Sequence, residues 1–163
     1  LNYVIFRFFN AAGYDAKGRI KRVEQNPANL LPIIMETANN TRKKVEVYGN
    51  TYDTADGTGV RDYIHVSDLA LAHEKAIDYL SEKNSNLITN LATGEGYSVL
   101  EIIKRVEDLT STKITYDVVK KREGDLATMV ASSKIAYEEL GWEQHFSKLD
   151  TILDSMWNIY KGF

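Results

Sequence analysis

The chain has 163 residues, 44% hydrophobic and 26% charged, with 20 Lys and Arg against 23 Asp and Glu and a formal net charge of -3. That length supports one ordinary core or part of a larger domain, and the mixed charge excludes a polycationic surface for nucleic acid. The absence of cysteine excludes disulfides and thiolate metal sites, and His65, His73 and His145 are too scattered to mark a metal centre by spacing.

The chain opens "LNYVIFRFFN", without an initiator Met, and passes at once into strand character. It reads as the middle of a longer protein, and no apolar run approaches the ~20 residues that span a bilayer. Residues 3–9 are β-branched or aromatic with one Arg, a buried strand. After a glycine-bearing loop, Asn26-Pro27 offers an N-cap and first helical position for a helix to about residue 40. Residues 45–48 form a short strand. A polar loop from Asn50 to Gly59 leads into a strand at about 60–66, and Ser67 caps a helix to about 82. Residues 87–91 form a strand, and "TGEG" turns into a helix whose capping box is Ser98 with Glu101. A strand at 114–119 follows. Helices at 133–140, stopped by Gly141, and 148–160, capped by Ser147, close the chain. Alternating strands and helices indicate an α/β fold with a largely parallel sheet.

Four motifs bear on chemistry. "NLATGEGYSV" places Gly94-x-Gly96 between a strand and a helix, with Asp117 about twenty residues on, but the third glycine of a dinucleotide fingerprint is missing. A strand-to-helix turn needs such glycines anyway. Tyr116-x-x-x-Lys120 lies on a strand, where i and i+4 stand roughly 13 Å apart. Tyr79-x-x-x-Lys83 has helical spacing but sits at a polar helix end, where we expect surface residues and no general base. "KREGD", Lys121 to Asp125, is either a solvated charged loop or an anion grip. Paired with Arg61 from another loop, Arg122 would complete the forked donors a diphosphate prefers. Finally, Arg61, Tyr63 and His65 alternate along the 60–66 strand and so share one face. An unpaired guanidinium inside a core costs several kcal/mol. Arg61 therefore either pairs with an internal carboxylate or faces a cleft.

Five segments stand in order: "FRFFNAAG", "NPANLLP", "VYGNTYDTADGTGVRDYIHVSDLA", "NLATGEGYSV" and "KREGD". Together they resemble the C-terminal half of the UDP-glucose (UDP-galactose) 4-epimerases, NAD-dependent extended short-chain dehydrogenases. The resemblance spans essentially the whole chain. It implies the C-terminal part of that fold, with Rossmann-type parallel sheet segments and a smaller α/β lobe for a UDP-sugar. Residues 1–10 and about 60–94 would belong to the NAD-domain sheet, and about 11–59 and 95–163 to the substrate lobe.

The reaction so implied interconverts UDP-glucose and UDP-galactose at C4 through a 4-keto intermediate, in galactose metabolism. Arg61 and Arg122 would grip the diphosphate, with Asn29 donating to it, and Asn10 would bond near the sugar. Glu46, Val47 and Tyr48 would line the uracil, and Leu30 would wall the site. Within the loop Arg122-Glu123-Gly124-Asp125, Asp125 would hold ribose hydroxyls. Phe9 would approach the nicotinamide of NAD, and Met129 matches a position where side-chain bulk gates room at sugar C2. Lys121 stands where many members carry arginine, Ala92 where glycine is usual, and Phe8 where tyrosine is frequent. The resemblance places the glycine-rich NAD loop and the catalytic Tyr/Lys pair upstream of Leu1, so no catalytic or metal-ligating residue is assigned within these residues. It also implies a cytoplasmic enzyme, docking against its own N-terminal domain, and a homodimer. Two other readings stay open: an extended nucleotide-sugar dehydratase or decarboxylase, and a non-catalytic nucleotide-sugar binding module.

Overall fold

The computed structural model describes all 163 residues. Strand β1 (Val4–Phe8) runs into β2 (Asn10–Ala12), and helix α1 (Leu30–Ala38) leads to β3 (Val45–Tyr48). Next come β4 (Val60–Arg61), β5 (Tyr63–His65), the long helix α2 (Val66–Lys83), β6 (Leu87–Leu91) and β7 (Tyr97–Ser98). The chain ends with α3 (Val99–Thr110), β8 (Tyr116–Val119), β9 (Thr128–Met129), α4 (Lys134–Leu140) and α5 (Leu149–Tyr160).

Parallel pairing dominates, as the alternating elements predict. β1 pairs β6, β2 pairs β5, β3 pairs β8 and β4 pairs β9 in parallel, while β4 and β7 run antiparallel. Two separate cores result. One gathers apolar faces of α1, α3 and α5 around Val45 and Val47. The other packs α2 and α4 against β6, with Trp142 fully buried among them. The outer face of the β1–β6 pair stays bare: Ile5 and Ile88 are register partners, and both are exposed.

Four local expectations change. Helix α1 begins at Leu30, with Asn29 as N-cap, because Asn26 takes a left-handed turn at φ 53°. Pro32 then falls in the first turn, where its missing N–H costs nothing. The 60–66 strand is two short ones, broken at Asp62, whose fully buried carboxylate binds the 93–94 loop. Helix α2 is capped by His65 through its Nδ1, 3.0 Å from the Ser67 N–H. Ser67 and Ser147 serve as links instead: Ser67 Oγ accepts from the Ala16 N–H, and Ser147 Oγ donates to Asp68. Tyr79 is buried, with its hydroxyl 2.9 Å from Ser85 Oγ, so it packs in the core and is no surface residue. The Ser98 cap holds, with Ser98 Oγ 3.1 Å from the Glu101 N–H.

Gly94 and Gly96 are explained by packing. Gly94 sits at φ 81°, and a Cβ on Gly96 would stand 2.6 Å from both Val60 and Val130 side chains. The second glycine admits β4 and its neighbours rather than a pyrophosphate.

Candidate functional site

A cleft of about 650 Å³ opens where the N-terminus of α1, the outer face of β3, β4 and the 121–125 turn converge. Strand alternation decides which β3 side chains enter it. Val45 and Val47 point into the core, and Glu46 and Tyr48 point into the cleft. The Tyr48 hydroxyl donates to Glu46 Oε2 at 2.8 Å, which fixes the ring. Arg122 lies over that ring, its guanidinium carbon 3.9 Å from the centroid.

Arg61 is brought in by the polar loop, and the loop has a physical anchor. Asp56 accepts from the Thr58 N–H and hydroxyl at 2.8 and 2.7 Å and from Ser98 Oγ at 2.5 Å. The loop is thereby tied to the N-terminus of α3 and delivers Gly59 and Arg61 at a set position. A Cβ on Gly59 would stand 3.2 Å from Arg61 Nη1, so the glycine leaves the guanidinium its space. Nη1 donates to the Val60 carbonyl at 2.8 Å, and Nη2 stands 3.9 Å from Asp125 Oδ1. Arg61 thus faces the cleft with only a loose carboxylate partner.

Asn29 contributes differently. It is an N-cap residue whose side chain makes no cap hydrogen bond, so its amide is left for the cleft. The first-turn N–H groups behind it favour an anion. A second recess of about 450 Å³ shares Asn10, Asn29, Leu30 and Tyr63 with the cleft and adds Phe9 and Met129. The two recesses adjoin across these four shared residues.

Of the residues expected at the site, Asn10, Asn29, Leu30, Glu46, Tyr48, Arg61, Arg122 and Asp125 line the cleft. Phe9 and Met129 line the recess beyond it. Val47 is buried in the core and lines neither space, and Glu123 and Gly124 lie exposed on the turn without lining either. The structure adds Arg42, Lys43, Lys44, Tyr52 and Tyr63. The first three were legible as a run of cations, "TRKK", directly before a strand. Arg42 pairs with Glu36 at 2.7 Å and Lys44 with Asp117, whereas Lys43 makes no ion pair. Tyr63 is buried, and burial pushes its phenol pKa above the usual tyrosine range, so it stays neutral. Five cations against Glu46 and Asp125 give the cleft a positive balance on a chain of net charge -3. Another concavity of similar size, beside residues 92–94 and 142–144, holds only Lys134 and Glu143 as charges and gathers no comparable set.

The family described as GDP-mannose 4,6 dehydratase matches residues 1–156. The chain belongs to that family. Within the family it resembles UDP-glucose 4-epimerases: the human protein of that name is 45% identical over 161 residues, covering 98% of this chain. The chain spans about half the length of the curated relatives it matches, 46% of the human one. Among solved structures, the UDP-glucose 4-epimerase of Stenotrophomonas maltophila, with bound NAD and formylated UDP-arabinopyranose, superposes with a TM-score of 0.93 at 37% identity. It is matched over 99% of this chain and 48% of its own. The Bifidobacterium longum enzyme, in complex with NAD+ and UDP, gives a TM-score of 0.90 at 41% identity, over 99% of this chain and 49% of its own. The fold is that of the family's extended short-chain dehydrogenases, as the motif order implied. No helix is long and apolar enough to cross a membrane, and no cluster of His, Asp and Glu suits a metal ion.

Proposed function

We propose that this chain is the substrate-binding portion of an NAD-dependent epimerase that interconverts UDP-glucose and UDP-galactose at C4. The observation that carries the reading is the convergence of Arg61 and Arg122 from separate loops on a cleft that also holds Asn29 and Asp125. Two forked guanidinium groups suit a diphosphate. Asp125 is placed to accept from ribose hydroxyls, and the outer face of β3 offers Tyr48 and backbone groups to a uracil. The hexose then occupies the recess bounded by Asn10, Phe9 and Met129. Holding the UDP firmly and the sugar loosely puts the binding energy on the part that does not react.

NAD, when bound, supplies the acceptor and donor of the C4 hydride. The residues here fit only its nicotinamide end, through Phe9 at the close of β1. The Gly94-Gly96 turn is filled by Val60 and Val130 side chains and gives a pyrophosphate no cradle. The rest of the cofactor and the proton-transfer pair therefore fall to a further domain, the protein's own N-terminal half. Residues 1–10 and about 60–94 form part of that domain's sheet, and about 11–59 and 95–163 form the substrate lobe; the bare β1–β6 face supports the first assignment, while α4 and Trp142 of the later segment pack into the core built on α2 and β6. In this reading the whole protein is a cytoplasmic homodimer.

The test is conversion of UDP-glucose to UDP-galactose by the intact protein, followed by separation of the two sugars. Interconversion to equilibrium is expected. Binding of UDP-glucose without conversion would favour the binding module, release of a dehydrated sugar would favour a dehydratase, and loss of carbon dioxide from UDP-glucuronic acid offered separately would favour a decarboxylase.

A further inference from the structure

Tyr48 is a fixed plate. Its phenol is tied to Glu46, and its strand is pinned by parallel pairing with β8. Arg122 covers one side of that plate at 3.9 Å, the spacing of a stacked pair, so no planar ring fits between them. Nothing else holds Arg122. Its side chain is exposed, makes no ion pair, and leaves a turn that Gly124 closes at φ 83°. Arg61, by contrast, is half-buried and bonded to the Val60 carbonyl. The two arginines are therefore unequal: one is preset, and the other is parked.

We propose that Arg122 occupies the nucleobase position in the free protein and exchanges Tyr48 for the diphosphate when a nucleoside diphosphate enters. The inference rests on the reading of this cleft as a UDP-sugar site. Leaving the ring forfeits an exposed cation–π contact, equivalent to about a two- to fivefold change in affinity. A charge-assisted fork to a phosphate is the stronger bond and outweighs it. A ligand with both base and diphosphate gains from the exchange. A ligand with the base alone must displace Arg122 and brings no phosphate to receive the displaced guanidinium. Arg122 is thus a barrier to uridine and a grip for UDP, and the slot opens fully only to the molecule that carries both parts. Lys43 and Arg61 attract any anion and cannot make that distinction. If Arg122 instead stayed on Tyr48 and the base stacked on the outer guanidinium face, removing it would weaken both ligands.

The experiment compares the intact wild-type protein with R122A and R122K, using ligand-observed NMR titration for uridine and calorimetry for UDP. R122A is expected to bind uridine about two- to fivefold tighter than wild type and UDP at least about tenfold weaker. R122K should fall between on both. An unchanged thermal midpoint checks the fold, since the side chain lies outside both cores. Uridine affinity that is unchanged or reduced in R122A overturns the exchange. Failure of wild-type protein to bind UDP overturns the reading of the cleft beneath it.

Discussion

The buried carboxylate of Asp62 holds Thr93 twice, accepting from its backbone N–H at 2.9 Å and its hydroxyl at 2.8 Å, and takes the Gly94 N–H at 3.0 Å as well. The Asp62 backbone meanwhile donates to the Met129 carbonyl and accepts from the Asn10 N–H. One residue therefore ties the β6–β7 turn to strands that carry Asn10, Arg61 and Met129. Removing its side chain takes the acceptor from three part-buried donors and empties a buried site, a loss of about 1 kcal/mol for each hydrogen bond. Asp62→Ala should lower unfolding free energy by on the order of 3 kcal/mol in denaturant titration. Asp62→Asn keeps an acceptor and should cost less. Equal stability of Asp62→Ala and wild type would remove the carboxylate from this role.

His65 makes stability depend on pH. Burial lowers its pKa, against the opposing pull of the Asp68 and Asp15 carboxylates. The folded protein thus resists a proton that the unfolded chain takes up near the ordinary value of ~6.5. Its contribution is present above that pH and is lost as pH falls through the lower folded value. Protonation also turns Nδ1 from acceptor to donor against the Ser67 N–H, so the α2 cap is broken. The thermal midpoint should drop on acidification from about pH 6.5 to 5. His65→Asn, a cap that does not titrate, should flatten that slope; an unaltered slope would assign the titration elsewhere.

Met129 bounds the recess proposed for the sugar with a side chain of intermediate bulk and high flexibility. The intact protein should act mainly on UDP-glucose and UDP-galactose, with kcat/KM on UDP-N-acetylglucosamine lower by about tenfold or more. Comparable values on the two sugars would contradict this assignment.

The bare face of β1 and β6 is the remaining exposed liability. Parallel sheets are normally covered on both sides, yet Ile5 and Ile88 face outward at 46% and 48% exposure. The isolated 163-residue chain should self-associate or bind a covering domain, as analytical ultracentrifugation would record. A monodisperse, cooperatively unfolding monomer would contradict that expectation.

Much of this was legible in the sequence where local chemistry decides. The strand read at 87–91, the Ser98 cap and the Gly141 stop map onto β6, α3 and the end of α4. The expectations that shifted are those set by distant partners. Asp62 read only as one position of a continuous 60–66 strand, because Thr93 and Gly94 lie some thirty positions away. Ser67 and Ser147 have the composition of caps, but His65, two residues earlier in the chain, and Asp68 claim those hydrogen bonds. The site followed the same pattern. Arg61 and Arg122 stood out as charges at strand ends, whereas Tyr52 enters the cleft only through the folding of the 50–59 loop.

The central claim is that Arg61 grips a diphosphate, and calorimetric titration of UDP into wild-type protein and Arg61→Ala tests it most directly. The account predicts that UDP binds wild type and that the substitution costs about 2–4 kcal/mol of binding free energy, with uridine affinity little changed. Equal UDP affinity in the two proteins, or none in either, would contradict it.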